Sequence, residues 1–266
     1  LHIEHISRAS ADQRAGRAGR TAPGHAIRLW TENEHAGRAA HDLPEIKRVD
    51  PSEMILTLKA LGVTDMESFP WLEPPEARAM EQALTLLRDL GALDASGAPT
   101  PLGQRMLSFP LHPRYARMLL AAGERGAVRA IALIAAIAQG RPILVRNAGK
   151  EAAERRRDLL GGGDSDLLVL MRAWNYARQN NFDLNRCRRL GIHAAAARQV
   201  GPLRDYFLRI AANQNLPLET SPPDDADIAK CVLTGFSDQV ARRLDRGTLR
   251  CELVHKRRGE LARESV

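Results

Sequence analysis

A short stretch near the start of the chain carries the residue types best suited to chemistry. Residues 13–20 read QRAGRAGR, which places Gln13, Arg14, Arg17 and Arg20 close together. On a helix, positions 13, 17 and 20 would share one face, because neighbours on a face are three or four residues apart. Phosphate matches the planar, two-pronged donor geometry of arginine. The string therefore predicts a phosphate-binding surface.

Gly16 and Gly19 keep the surface of the string low, so that a ligand or a facing domain can approach the backbone. Charge and spacing alone leave two other interpretations of the string open. One is a flexible arginine–glycine segment that binds RNA loosely, and the other is a basic helix face that is simply hydrated.

The composition favours a helical protein of more than one domain with a polyanionic partner. The chain has 266 residues, a net charge of +7 and only 4% aromatic residues, a balance that suits packed helices. Its three cysteines are too widely spaced for a metal knuckle, and their odd number argues against a secreted disulfide framework. The histidines are scattered. We therefore expect a reduced, cytoplasmic location and no metal site.

Neither a membrane span nor a signal peptide is expected. The longest apolar run, AIALIAAIA at 130–138, is too short to cross a bilayer, and the N-terminus lacks a basic-then-apolar plan. The chain opens at Leu1 in the middle of a pattern, which predicts a piece of a longer protein.

The elements that would position the arginine string fall in the first of four regions. Ser10 is expected to cap the helix that carries the string, and HAIRLW at 25–30 alternates like a strand. Residues 36–100 predict helices that begin near Pro51 and Pro75, followed by a glycine-containing turn. This order is typical of a winged helix, although other three-helix modules read alike.

The remaining two regions predict a helical bundle and a small β-domain. Over 101–223 the helix starts are Pro101, Pro113 and Asp164, the stops are Gly123 and Gly140, and Gly201–Pro202 should kink or split a helix. After 224, a helix precedes two strand-like runs, TLRCELVH and GELARESV, joined by the basic turn KRRG.

Two other features have a functional and a plain interpretation. The triplets Arg155–Arg157 and Lys256–Arg258 are candidate phosphate contacts, with a solvated face at equal odds. Trp71 and Trp174 can stack on bases, but tryptophans flanked by apolar residues more often lie in a core.

QRAGRAGR resembles motif VI of the superfamily 2 helicases in its DEAH-box version, in which glutamine heads the motif. The resemblance continues through PEIKR at 44–48, FPWLEPPE at 69–76, LGALDASGAPTPLGQRM at 90–106 and FPLHPRYARMLL at 109–120. CRRLGIHAAAARQV at 187–200 and TLRCELVHKRRGELARESV at 248–266 are similar to the bacterial HrpB-type branch. The chain is identified as the C-terminal portion of such an ATP-dependent RNA helicase.

The resemblance implies a mainly α, multidomain fold. Residues 1–35 would end the second RecA-like α/β domain, 36–100 would form a winged helix, 101–223 a ratchet-like helical bundle, and 224–266 the start of an OB-fold.

The resemblance also implies roles for individual residues. Gln13 and Arg17 would contact the γ-phosphate of ATP or the attacking water, Arg20 would be the arginine finger, and Arg14 would make an interdomain or structural contact. The family holds single-stranded RNA mainly by its backbone, which favours RNA contact by Lys256, Arg257 and Arg258. The other expected partner is the protein's own N-terminal RecA-like domain.

Two sequence motifs that an ATPase site of this family needs do not occur in this sequence. Its one Gly-Lys pair, Gly149–Lys150, is followed by Glu151 instead of Ser or Thr, and no DEAH sequence occurs. The binding sites for ATP and Mg²⁺ would therefore be completed by residues of an N-terminal half, and the isolated chain should have no ATPase activity. The alternatives are a non-enzymatic winged-helix module that binds nucleic acid, and a scaffold whose helices bind a protein.

Overall fold

The computed structural model describes residues 5–145, 148–161, 165–245, 247–262 and 265. These residues form twelve α-helices, three short 3-10 helices and one three-stranded sheet, so the mainly helical architecture is confirmed. The chain divides into two compact units. The first comprises Leu1–Pro51 and Pro70–Ala79, and the second comprises Ser52–Phe69 and Met80–Val266.

The first unit contains two helices, α1 (Arg8–Arg17) and α2 (Glu32–Ala36), and a 3-10 helix over Glu45–Lys47. Helix α1 begins after Ser7, whose hydroxyl accepts a hydrogen bond from the N–H of Ser10 at 3.1 Å. The prediction that Ser10 is the cap was therefore wrong by three residues. Ser7 is itself buried, and its N–H donates to Asp42 at 3.1 Å, so a distant contact selects the cap.

The predicted strand over 25–30 does not form. The structure assigns no strand to these residues, and Ile27 and Leu29 are 86% and 91% exposed. A strand needs a neighbouring strand to complete its backbone hydrogen bonds, and the described residues of this unit contain none. The alternating pattern is present in the sequence, but the described part of the unit offers it no strand to pair with. The assignment to a RecA-like domain stays a prediction.

The second unit starts with three helices in the order expected for a winged helix: α3 (Ser52–Ala60), α4 (Ala77–Asp89) and α5 (Pro101–Leu107). After α4, Gly91 takes a φ of 71°, and Leu93 and Pro99 pair across a tight turn. Hydrogen bonds from the Ser96 hydroxyl and the Ala98 N–H to Asp94 lower the pKa of that carboxyl.

Helix α5 packs against this turn through a glycine. A Cβ on Gly103 would lie 2.1 Å from the carbonyl oxygen of Ala92, which no side chain could tolerate. Thr100 caps the helix with Pro101 in its first turn, as the sequence predicts.

Seven helices complete the bundle: α6 (Pro113–Arg125), α7 (Val128–Gln139), α8 (Lys150–Leu160), α9 (Asp166–Gln179), α10 (Leu184–Arg189), α11 (Ala194–Asn213) and α12 (Asp225–Gly235). Helix α7, which contains the long apolar run, is buried from Ala130 to Ile137 and forms the centre of the core. It ends at Gly140 as predicted. The predicted start at Asp164 lies outside the described residues.

Gly123 does not end α6, contrary to the prediction. The helix continues to Gly126, whose φ of 63° supplies a left-handed cap. A Cβ on Gly123 would lie 2.8 Å from a methyl carbon of Leu216. Gly123 therefore serves close packing within the bundle rather than helix termination.

Helix α11 is one helix through Pro202, so of the predicted kink or split the split does not occur. The indole N–H of Trp174 donates to the carbonyl of Ala197 at 2.8 Å, and the guanidinium of Arg204 lies 4.9 Å from the indole ring centre. Trp174 thus packs against α11 on both sides of the proline, which itself removes one backbone hydrogen bond of the helix. Trp174 is 1% exposed, which confirms its interpretation as a core residue.

The C-terminal strands are β1 (Ala241–Arg243), β2 (Arg250–Leu253) and β3 (Arg258–Glu260), paired antiparallel in that order. The β2–β3 hairpin was predicted, and β1 was not. The basic turn includes a 3-10 helix over Val254–Lys256, where His255 and Lys256 take φ values of 60° and 56°. An OB-fold has a five-stranded barrel, so its assignment here stays a prediction.

Candidate functional site

Two residues of the arginine string lie on one helix face. Gln13 and Arg17 are one turn apart on α1, and both are exposed. Arg17 is the last residue of the helix, where the partial negative charge of the helix end stabilises a cation. The structure therefore brings these two donors together, as predicted from their spacing.

Arg20 does not share that face. Helix α1 ends at Arg17 and is capped by Ala18, which places Arg20 in the turn that follows. The chain then folds back on the helix end, since a Cβ on Gly24 would lie 2.0 Å from the carbonyl oxygen of Ala18. The assumption of one helix face for positions 13, 17 and 20 was wrong for Arg20, because α1 stops before it.

The arginines of the string have no counter-ion within the described part of the chain. Asp12, which precedes the string on α1, is bound by Arg28 at 2.5 Å. None of the ion pairs or side-chain hydrogen bonds between described residues involves Arg14, Arg17 or Arg20. Three exposed guanidinium groups without an anion can bind phosphate.

The basic turn of the β2–β3 hairpin splits into two kinds of residue. Lys256 and Arg258 are exposed, and no ion pair between described residues uses them. Arg257 instead donates to the Asp238 carbonyl at 2.5 Å and to its Oδ2 at 3.1 Å. The structure thus gives Arg257 an internal anchoring contact. His255 adds a second anchor, with its Nε2 2.7 Å from Oδ2 of Asp89.

Asp238 is the centre of that anchor. It is buried, and the guanidinium of Arg114 on α6 contacts both its carboxylate oxygens, with Nη2 2.9 Å from Oδ2. Burial tends to raise the pKa of Asp238, but the hydrogen bonds and charge of Arg114, with Gln239 and Arg257, outweigh burial and hold the pKa below its usual value. Sequence reasoning missed this cluster, since 124 residues separate Arg114 from Asp238 and no local pattern connects them.

Among the described residues, no group of three or more His, Cys, Asp or Glu side chains is arranged to hold a metal ion. No helix in the same part of the chain is long and apolar enough to cross a membrane.

Comparison with known proteins identifies the central part of the chain. Residues 83–111 match the helicase associated domain (HA2), winged-helix, and residues 112–181 match the helicase associated domain (HA2), ratchet-like. These segments contain most of α4, all of α5, and α6 to α9.

Two relatives resemble nearly the whole chain. It is 33% identical over 245 residues to the pre-mRNA-splicing factor ATP-dependent RNA helicase prp22 of Schizosaccharomyces pombe, covering 91% of this chain and 21% of that protein. It is 32% identical over 244 residues to the probable ATP-dependent RNA helicase DHX35 of Homo sapiens, covering 91% of this chain and 35% of that protein. The chain therefore spans well under half the length of either relative. The chain thus carries segments that match the helicase-associated winged-helix and ratchet-like domains, and over 91% of its length it is similar to two proteins named as ATP-dependent RNA helicases.

Proposed function

We propose that this chain supplies one wall of the ATP site and part of the RNA path of an ATP-dependent RNA helicase. The observation that carries the proposal is the set of arginines at and just after the end of α1, which have no counter-ion among the residues that the structure describes. The names of both relatives, which describe ATP-dependent RNA helicases, support it.

The residues present fit the γ-phosphate end of ATP. Gln13 and Arg17 offer donors from one face of α1, and Arg20 extends from the following turn. In this proposal Gln13 and Arg17 bind the γ-phosphate or orient the attacking water, and Arg20 stabilises charge that develops during phosphoryl transfer.

Mg²⁺ and the phosphate-cradling lysine would come from an N-terminal half of the protein. The sequence has no P-loop and no DEAH string, so the isolated 266-residue chain should show no ATPase activity above background. The N-terminal RecA-like domain is in this proposal the partner that faces α1.

The proposed RNA contacts are Lys256 and Arg258, with Arg257 holding the turn in place through Asp238. These side chains can neutralise phosphates without reading bases, which predicts weak, salt-dependent binding of single-stranded RNA with little sequence preference. We also propose membership in the bacterial HrpB-type branch, on the segments at 187–200 and 248–266, and a cytoplasmic location, on the odd number and wide spacing of the cysteines. A P-loop and a DEAH box in the coding sequence upstream of Leu1 would support the helicase assignment.

The deciding experiment compares arginine variants in a full-length protein. Arg20→Ala should lower kcat by roughly 10³-fold or more, as expected for an arginine finger, and leave RNA affinity unchanged. Arg17→Ala should raise KM for ATP as well as lower kcat, because it would lose a ground-state contact.

Arg14→Ala is the control, since Arg14 is exposed on the same helix and in this proposal makes an interdomain or structural contact instead of a contact to ATP. It should keep near wild-type kcat. If Arg20→Ala and Arg14→Ala gave the same kcat as the unmodified enzyme, the string would be an interdomain contact and the ATP-site assignment would be wrong.

A further inference from the structure

A basic cleft lies between the start of α8 and the end of α10, apart from the residues used above. Its volume is about 480 Å³, and it is open to solvent. The charged and polar side chains that line it are Lys150, Glu151, Arg155, Asn185, Arg188 and Arg189.

The walls of the cleft are fixed by contacts that do not depend on a ligand. The segments before α8 and after α10 pair through backbone bonds, from the Val145 N–H to the Gly191 carbonyl at 2.9 Å and from the His193 N–H to the Ile143 carbonyl at 2.8 Å. A Cβ on Gly191 would lie 2.5 Å from that of Ala148, so only glycine permits this approach.

One arginine of the triplet at 155–157 reinforces the same wall. The half-buried Arg156 donates from Nη1 to the carbonyl of Leu190 at 3.0 Å. This contact closes the end of α10 against α8. Arg156 is thus part of the scaffold of the cleft.

Three of the four cations in the lining are uncompensated. Glu151 is paired with Arg155 at 2.5 Å, so it does not neutralise the others. Lys150, Arg188 and Arg189 are exposed, and no ion pair within the described residues includes them. Three like charges around one cavity repel one another unless an anion lies between them. The cleft is therefore suited to an anionic ligand.

The lining also indicates which part of a ligand is bound. Apart from these polar residues, the cleft is lined only by Ala148, Gly149 and Ala152 among the described residues. A nucleobase would find no aromatic ring on which to stack, whereas the guanidinium groups of Arg188 and Arg189 fit phosphate oxygens two at a time. We propose that this cleft binds backbone phosphates of single-stranded RNA, an inference that rests on the proposed function as an RNA helicase.

The test is a salt titration of RNA binding by the 266-residue chain with Arg188→Ala and Arg189→Ala combined. Both side chains are exposed, so folding should be kept, as circular dichroism will check. Fluorescence anisotropy with a labelled oligo-uridine RNA should show affinity reduced about tenfold or more. The slope of log affinity against log salt should fall by about 1.4, since each contact to single-stranded nucleic acid contributes about 0.7.

Two matched variants distinguish RNA binding at the cleft from a general effect of net charge on RNA affinity. Arg88→Ala with Arg105→Ala removes the same charge from exposed positions of α4 and α5 and should keep the wild-type slope. Arg188→Lys with Arg189→Lys keeps the charge and should keep most of the slope. Equal losses in the Arg88/Arg105 and Arg188/Arg189 alanine pairs would mean that only net charge matters and would overturn the proposal.

Other outcomes identify a different ligand or a deeper error. Tight binding of inorganic pyrophosphate that is lost in the Arg188/Arg189 alanine pair, with RNA binding unchanged, would reassign the cleft to a small phosphate. Binding of poly-glutamate that is lost in the Arg188/Arg189 alanine pair, again with RNA binding unchanged, would reassign the cleft to an acidic protein ligand. Unchanged RNA affinity in the Arg188/Arg189 alanine pair overturns the proposal that the cleft binds RNA and leaves the proposed helicase function intact. A wild-type chain that binds no RNA overturns both proposals.

Discussion

Replacement of Asp238 by Asn should strongly destabilise the second unit. The side chains of Arg114 and Asp238 are 15% and 7% exposed, so the substitution leaves a largely buried guanidinium without its anion. Loss of one partner of a buried ion pair typically reduces stability by about 3–5 kcal/mol. Arg114 keeps its bond to the Gly235 carbonyl at 2.8 Å, and asparagine retains an acceptor. We therefore expect a loss at the lower end of that range, about 3 kcal/mol.

The same pair makes the stability depend on pH with a defined sign. The pKa of Asp238 is lowered in the folded protein, below the unfolded value of about 3.9. Its contribution is therefore fully present above the unfolded pKa and is lost as pH falls through the folded pKa. The difference between wild type and Asp238→Asn should be large at pH 7 and should shrink towards pH 3.

Urea unfolding followed by circular dichroism at both pH values measures this difference. Asp205→Asn is the control, because Asp205 also pairs with an arginine, Arg204, at 2.6 Å but is 52% exposed. A pair of that kind contributes at most about 1 kcal/mol. If Asp238→Asn were no more destabilising than Asp205→Asn, or if its effect were the same at pH 3, the ion pair would not be the anchor of the C-terminal hairpin.

Three other predictions concern contacts between distant parts of the second unit. Gly235→Ala places a Cβ 2.5 Å from Cγ of Met118 and 2.7 Å from the Arg114 carbonyl oxygen, so urea unfolding should show a loss of about 1–3 kcal/mol; wild-type stability would mean that α12 does not pack closely on α6. Glu219→Ala removes the acceptor of the Arg129 and Ala130 N–H groups at 2.7 and 3.2 Å, with an expected loss of about 1 kcal/mol, while Glu219→Gln should lose less. Lys256→Ala with Arg258→Ala should weaken RNA binding and leave the Tm unchanged, whereas Arg257→Ala should lower the Tm by about 2–4 °C. The reverse result would contradict the assignment of Lys256 and Arg258 to RNA contact and of Arg257 to anchoring the turn.

Local features of the sequence were enough for most helices of the second unit and for its hairpin. Thr100 with Pro101 and His112 with Pro113 begin α5 and α6 where predicted, and Gly140 ends α7 as predicted. These signals are read within one or two turns of backbone, so they need no knowledge of the rest of the chain. The motif VI resemblance depends in the same way on residue identity and spacing alone, although the roles of its residues stay predictions.

Predictions failed where a distant partner decides the outcome. The pattern at 25–30 alternates like a strand, but the described residues of its unit offer no strand to pair with. Gly123 looks like a helix stop, yet it is a packing glycine opposite Leu216. Pro202 looks like a helix break, yet the contacts of Trp174 and Arg204 accompany an unbroken α11.

The candidate sites divide in the same way. The sequence alone determined which residues could bind phosphate, because arginine geometry and spacing are local properties. Only the tertiary structure decided which of them are available: Arg20 lies beyond the end of α1, and Arg257 is bound by Asp238. The structure also added Arg188 and Arg189, which no sequence pattern singled out and which have no counter-ion among the described residues beside Lys150. A charge is available to a ligand only if no folded neighbour has already neutralised it, and those neighbours lie too far along the chain for any sequence window to show.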